Sequence, residues 1–432
     1  MSSSGDKSKT PFSSVLAFSF INSVGTGIVT SGIFFLTKSG YGFSDGANFV
    51  LGVLLGVTYI AGAMVAGWGT RFLRDRFGFS SRAILGGLMV VCALLCTIPY
   101  LAIRMQSGGE HGTKSAWPIW LIVATYSPLT GVLWPMVESY LSGGKSGDTL
   151  RRAVGTWNVV WSSALVFAYW GVARFIEKTP AEAILILGLS HIVGLALLAT
   201  FAKEPAPHVH EDHAPHPPIY NQLLVAFRML LPTGYLISSA LAPYLSGLMP
   251  RLGVPAAWST IVVSAWLLPR VIGFYVLDRA SAWHGKWWPA ILGAACLVVG
   301  FACCTVTGMI FGSHENGGDV ATASVQPAAV ALLCVGLAFF GVGMSIVYSG
   351  AIYYALEVGK AEVDAGGTHE ALIGVGYTVG PLCGLAAWGL VQKGVMGLEQ
   401  KDIDPLVLTT VGVVTAVVVA VTIRQTKKVT ST

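Results

Sequence analysis

The sequence predicts an all-α membrane protein of twelve transmembrane helices in two pseudo-symmetric six-helix bundles. Composition is the first observation behind this. The chain of 432 residues is 54% hydrophobic and only 11% charged, with a mean hydropathy of +0.68. Soluble proteins carry about 25% charged residues. The second observation is a repeated charged turn. The run Gly69 to Gly78 places Asp75-Arg76 where one apolar segment ends, and Asp278-Arg279 echoes it close to half a chain length later. The third is loop charge. With the N-terminus inside, sixteen Lys and Arg fall in cytoplasmic segments and eight in outer ones, the bias that orients membrane helices.

Crossing a hydrocarbon core of ~30 Å takes about 20 apolar residues. Runs of that length stand at about 14–37, 46–69, 83–104, 117–140, 153–175 and 182–202, which make the first bundle, residues 1–202. Those at about 220–247, 257–277, 287–311, 327–354, 371–392 and 404–423 make the second, residues 220–432. Residues 203–219, rich in Pro, His and acid, are too polar to build a core and form an extended cytoplasmic linker. The 52 glycines suit membrane helices. All seven cysteines fall inside apolar runs with no CxxC pair, so they are packing residues. No cleaved leader is expected ahead of the first run. The protein is therefore expected in a plasma or bacterial inner membrane, both termini cytoplasmic. The lipid bilayer accounts for the basic excess, and nucleic acid is not expected as a partner.

Ionisable groups at membrane depth cost about 2.5–3.5 kcal/mol each and need a reason to be there. Arg270 lies two turns before Asp278, about 12 Å up a helix, with Trp266 on the same face. It either lines a cavity as an anion-binding or pairing residue, or snorkels. In the fourth run Gly131, Trp134 and Glu138 share one face, and Pro135 loosens the ladder there. Glu138 either exchanges a proton or pairs with an arginine such as Arg151 or Arg152. Polar stripes recur at helical spacing: Ser19, Asn22, Thr26 and Thr30; Ser345, Ser349, Tyr353 and Glu357; Asn158 and Ser162 beside Trp157 and Trp161. Such stripes line a path or pack helices. Among the linker histidines, His208, His210, His213 and His216 are of a type that binds zinc or nickel, but the prolines between them fix no site. Gly143-Gly144-Lys145-Ser146 lacks the first glycine and the strand of a phosphate loop. No HExxH or GxSxG motif occurs, so neither an enzyme nor a cofactor is expected.

Twelve runs, termini inside, a central linker and an Asp-Arg-x-Gly turn after the second run together resemble the major facilitator superfamily. That family's loop motif, Gly-x-x-x-Asp-Arg-x-Gly-Arg-Arg, is matched here at Asp75, Arg76 and Gly78, with a later Arg82. Arg71 stands at its opening glycine and Phe79 after Gly78. The second copy keeps Asp278 and Arg279, with Gly285 displaced. The eleventh run carries Gly374, Gly376, Gly380, Pro381 and Gly384, similar to the family's glycine-proline stretch.

The resemblance implies two bundles rocking about a central site, lined by spans one, four, seven and ten, with His191 peripheral as a packing residue. It also implies that the Asp-Arg turns are cytoplasmic latches. Asp75 would meet the N-terminus of span eleven near His369-Glu370, a contact worth about 0.3–1 kcal/mol exposed and up to about 2 when partly buried. The expected function is secondary active transport of a small organic solute, anionic or aromatic, coupled to protons through Glu138. Span five lacks the Gly-Pro signature of drug/proton antiporters. Two other readings stay open: a non-transporting receptor or assembly factor of the same fold, and a metal exporter using the histidine linker.

Overall fold

The computed structural model describes residues 9–106, 115–207, 217–312, 324–358 and 363–431. Among them the chain is helical, with no strand. Twelve long helices follow one another: α1 Phe12–Gly40, α2 Asp45–Phe77, α3 Ser81–Gln106, α4 Trp117–Ser142, α5 Gly147–Ala173 and α6 Pro180–Thr200, then α7 Pro218–Arg251, α8 Ala256–Arg279, α9 Trp288–Phe311, α10 Pro327–Val358, α11 Val363–Gln392 and α12 Ile403–Ser431. All but α5 are long and apolar enough to cross a membrane. Helix α5 falls short because Asp148, Arg151 and Arg152 occupy its first turns and Asn158, Ser162 and Ser163 its middle.

Most helices outrun their apolar segments. Helix α2 opens on Ser44, whose hydroxyl accepts from the Ala47 amide at 3.1 Å, and closes on Gly78 at φ +70°, the left-handed turn that glycine adopts freely. Helix α11 begins at Val363, two turns ahead of its apolar run. The expectation that His369-Glu370 mark its N-terminus is therefore corrected; both sit inside the helix. The polar stretch Glu362 to Glu370 hid this, since hydropathy ends a span where hydrogen bonding carries on. Two helices are irregular. Helix α1 widens into π-helical turns at Ile28–Gly32 and Leu36–Gly40, and α8 tightens into a 3₁₀ turn at Ser264–Trp266. Such interruptions re-aim side chains and concentrate at functional sites.

The end of the molecule bearing both termini is tied together by backbone contacts of the linker's first residues. The Arg82 amide and guanidinium donate to the Lys203 and Phe201 carbonyls at 3.1 and 3.0 Å. The Tyr140 hydroxyl reaches the Ala202 and Lys203 carbonyls at 3.1 Å each. Residues 203–207 are thus laid on α3 and α4. His208, His210, His213 and His216 lie outside the described residues, as does the side chain of Glu357. At the far end Arg251, which the sequence leaves in an outer loop, forms a forked pair with the fully buried Asp404 of α12 at 2.7 and 3.0 Å. Removing one partner of such a buried pair costs about 3–5 kcal/mol.

Candidate solute site

A cavity lies near the middle of the helices. Helix α1 contributes Ser23, Thr26, Thr30 and Ser31 from the turns around its first π-helical interruption. Single side chains come from α2 (Tyr59), α4 (Trp134) and α7 (Tyr235, with Ser238). Trp157 and Trp161 enter from α5, Trp266 and Arg270 from α8, Tyr348 from α10, Glu370 and Tyr377 from α11.

Arg270 is the largest fully buried side chain, 1% exposed. Its guanidinium carbon lies 4.4 Å from the Trp161 ring, 5.2 Å from Trp266, 5.4 Å from Phe274 and 5.8 Å from Tyr348. Among the described residues its one polar contact is long, Nη2 donating to the Tyr235 hydroxyl at 3.4 Å. Nε is buried with no acceptor, and among the described residues no carboxylate stands within ion-pair distance. Cation–π attraction is worth about 2 kcal/mol or somewhat more when desolvated. Burying an ion costs several kcal/mol even after relaxation. The aromatic cage softens the burial without neutralising it.

Glu370 completes the cavity wall, and a second acid, Glu138, lies behind it. Glu370 is 5% exposed; its Oε2 accepts a short hydrogen bond from the Tyr59 hydroxyl, and its carboxyl lies near that of Glu138 on α4. Glu138 also lies over Gly366, where a β-carbon would come within 2.8 Å of its Oε2. It has no arginine partner, which corrects the expected pairing. Arg151 instead holds Asp148 at 3.3 Å and the Asp278 carbonyl at 3.4 Å.

Toward the terminus end lies a second cavity of about 670 Å³, lined among others by Arg151, Asn158, Asp278, His284, Ser349 and Tyr353. Trp161, Phe274 and Tyr348 stand between the two, their centroids 5.4–5.9 Å apart. They make a plug one side chain thick. In the outer cavity the His284 ring stacks on Tyr353 at 4.1 Å. Burial and the nearby Arg151 hold its pKa below the ordinary histidine value, against the pull of Asp148. The far end is closed more deeply. Asn48 donates to the Phe34 carbonyl and to Ser246 of α7 at 3.0 and 3.2 Å, Gly52 packs on Pro381, and Gly46 lies under the Trp388 ring.

The candidates from the sequence therefore separate. Thr26, Trp134, Trp161 and Arg270 line the central cavity, and Glu370, assigned to the gate, joins them there. Asn158, Ser349, Tyr353 and Asp278 line the outer one. Asn22 lines neither. It donates to the Phe18 carbonyl at 2.9 Å and meets the His191 ring at 3.2 Å; His191 in turn contacts the Tyr126 hydroxyl, as a packing histidine does. Asp75, Arg76 and Gly78 are exposed, and Asp75 pairs only with its neighbour Arg74 at 3.2 Å. Among the described residues it makes no contact with α11. Arg279 lies over the Tyr275 ring at 3.6 Å, and His369 sits edge-on to Tyr348 at 5.7 Å. Sequence reasoning missed Tyr59, Tyr235, Tyr348 and Tyr377, which form one edge-to-face chain. Each is a lone tyrosine in an apolar run, with no spacing signal to say which way it faces.

No family model matches the chain, and no curated protein matches it. Solved structures do. A point mutant of the nucleoside transporter NupG superposes with a TM-score of 0.62 at 11% identity, over 95% of this chain and 99% of that one. A second structure of NupG gives 0.59, again at 11% identity, over 96% and 98%. A bacterial homologue of the human lysosomal transporter Spinster, inward-facing and unoccupied, gives 0.61 at 11% identity over 97% and 96%. At that identity the likeness is one of fold, and it spans nearly all of each chain: this protein has the fold of the major facilitator superfamily.

Proposed function

We propose that the protein is a secondary active transporter that moves a small organic solute by alternating access. Residues 1–202 and 220–432 form the two six-helix bundles that rock about the central cavity, joined by the linker 203–219. The charge distribution of the loops supports cytoplasmic termini in a plasma or bacterial inner membrane. The outer cavity then opens to the cytoplasm, and the plug of Trp161, Phe274 and Tyr348 is the inner gate. The clasp of Arg151 and Gly155 on Asp278 stands behind it. Asp75 and Arg76 stay solvated in this closed form.

The caged, unpaired guanidinium of Arg270 carries the reading. A buried cation surrounded by rings fits a solute that brings both an anionic group and an aromatic face. Thr26, Thr30 and Glu370 supply hydrogen bonds around it, and the Glu138–Glu370 pair is the group to which proton coupling is assigned. A transporter of similar fold handles nucleosides, so these belong in the first panel beside aromatic carboxylates.

The test is the melting temperature of the purified protein against that panel. A ligand at 100 times its dissociation constant adds about 2.7 kcal/mol to the folded state. Aromatic anions are expected to raise the melting temperature of the wild type and to leave Arg270→Ala unmoved. A shift produced equally by neutral ring solutes, and retained in Arg270→Ala, would remove the anionic group from the substrate. Uptake of the responding solute into liposomes then separates a transporter from a receptor.

A further inference from the structure

Helix α2 runs 33 residues from Asp45 to Phe77, about 50 Å at 1.5 Å per residue, against a hydrocarbon core of ~30 Å. Its last turns carry Trp68, Arg71, Phe72, Arg74, Asp75, Arg76 and Phe77, and Phe79 stands in the turn that follows. The four rings Trp68, Phe72, Phe77 and Phe79 are between 48% and 62% exposed. They form a ladder on the outside of the protein. Trp68 stacks on Phe72 at 5.7 Å, Phe72 stands edge-on to Phe77 at 6.0 Å, and Phe77 stacks on Phe79 at 6.1 Å. Further back along α2, the exposed Val57, Met64 and Val65 precede Trp68 at helical spacing, so the ladder prolongs an apolar stripe. Arg71, Arg74 and Arg76 are exposed between the rings. The only acid from Trp68 to Phe79 is Asp75, paired with Arg74 at 3.2 Å.

A contiguous exposed apolar patch calls for a partner, and the stripe that this one prolongs lies on a helix long and apolar enough to cross a membrane. Rings on one face with basic residues beside them are what a helix lying at a membrane surface presents. Tryptophan settles at that level, and basic side chains there draw acidic headgroups. The arrangement belongs to this turn and not to the repeated motif. At the same offsets from Asp278, the second copy has Val271, Tyr275, Ala280 and Ala282 in place of the rings. Phe274, Leu277 and Arg279 take the places of the arginines. Its own nearby ring, Trp283, is buried against Tyr353 and Tyr354. We propose that the end of α2 is a docking site for an acidic phospholipid. The acyl chains lie against Trp68 and Phe72, and the phosphate sits in the hydrated layer among Arg71, Arg74 and Arg76. Phe77 and Phe79 lie at headgroup level, and the bound lipid holds the turn between α2 and α3 at the membrane surface. The proposal is independent of what the central cavity carries.

The experiment is thermal unfolding of the full-length protein in dodecyl maltoside micelles carrying rising mole fractions of phosphatidylglycerol or of phosphatidylcholine. The reading is the lipid fraction that gives half of the maximal rise in melting temperature. For wild type this fraction should be about 25-fold lower with phosphatidylglycerol, since the segment has a net excess of two basic charges worth about fivefold each. Salt at about 0.5 M should remove most of that preference. The variant Arg71→Gln/Arg74→Gln/Arg76→Gln should show no preference. The variant Phe72→Ser/Phe77→Ser/Phe79→Ser should need more of either lipid and keep the preference. All six positions are exposed, so both variants should melt like wild type in plain detergent. If the arginine variant melts early, Arg71→Gln alone, expected to lower the preference about fivefold, gives the same reading. An equal response of wild type to the two lipids would overturn the proposal. So would an undiminished preference in the arginine variant, which would put the acidic lipid elsewhere. Unchanged half-maximal fractions in the ring variant would overturn the role of the ladder and leave it to another occupant. The same rise produced by glycerol 3-phosphate would replace the lipid with a free anion.

Discussion

Two helix pairs make the most extensive contacts between the first and second halves of this chain, and each ends in an Asp-Arg turn. Helix α2 meets α11 over its first half through glycines: Gly46 under Trp388, Gly52 on Pro381, Gly56 on the backbone at Tyr377 and Thr378, Gly374 against Ile60, Gly384 against Phe49. Helix α5 meets α8 at separated points. Trp170 donates to Ser264 at 2.9 Å near the far end, the aromatic plug sits in the middle, and Arg151 and Gly155 receive Asp278 at the terminus end. The Asp-Arg turn that matches the family motif better belongs to the continuous pair, yet its Asp75 and Arg76 are exposed. The poorer copy is the one wedged against its partner helix. Contact is decided by what the partner offers, here a glycine two turns into α5, and not by how well the turn matches a motif. The seam sets glycines against rings and backbone at several levels, whereas the clasp seats one side chain on one glycine.

Substituting the seam should have the largest effect. A β-carbon on Gly56 would overlap the Thr378 backbone, which cannot swing aside. Overpacking a tight core costs about 1–3 kcal/mol, occasionally more, and backbone contact places Gly56→Leu at the top of that range. We expect a large drop in melting temperature or loss of monodisperse protein. If Gly56→Leu melts like wild type, the α2–α11 seam is not what holds the far end closed.

Gly155→Ala comes next, and its sign depends on Asp278. Alanine gains up to about 1 kcal/mol over glycine inside a helix, but here its methyl would occupy the place of the Asp278 carboxylate. That side chain can rotate away, so the loss should stay near 1 kcal/mol. In an Asp278→Ala background the same substitution should stabilise the protein. A double-mutant cycle on melting free energies should give a coupling of about 1 kcal/mol or more; additive effects would mean the clasp is not formed in solution. Asp75→Asn, changing an exposed carboxylate, should stay within about 0.5 kcal/mol of wild type. A larger effect than that of Asp278→Ala would invert the comparison between the two turns.

How much of this the sequence exposes depends on the range of the interaction. Apolar runs are local and long, so all twelve helices were legible, including α5, which composition alone barely supports. Arg270 stood out because a charge two turns from the nearest loop is anomalous wherever it points. What surrounds it was not legible, since Trp161, Trp266 and Tyr348 come from three helices and each looks like ordinary membrane sequence. Glu138 was noticed and its partner was not. Glu370 sits in a polar stretch that resembles a loop, and only the helix continuing back to Val363 carries it to cavity depth. Asn22 failed the other way. Its spacing with Thr26 is right for a lined path, but it lies on the edge of the stripe and turns to His191 of α6. The Arg251–Asp404 pair joins residues that each looked like loop charges.

The smallest effect expected is on acid sensitivity, and it concerns the α8 end alone. His284 follows the Asp278 turn and stacks on Tyr353, with its Nε2 shielded and without a partner. Burial, then Arg151, holds its folded pKa below the ordinary value of 6.5. A base with a lowered folded pKa binds more protons when unfolded. Stability is therefore complete above pH 6.5 and declines as the pH falls through that value toward the folded pKa. His284→Asn should flatten this part of the curve, so that the wild type loses more melting temperature than the variant between about pH 7.5 and 5.5. Other titrating groups contribute equally to both proteins and drop out of the difference. Parallel curves would mean that His284 is solvated in both, and that the turn at the end of α8 is as open to water as the one at the end of α2.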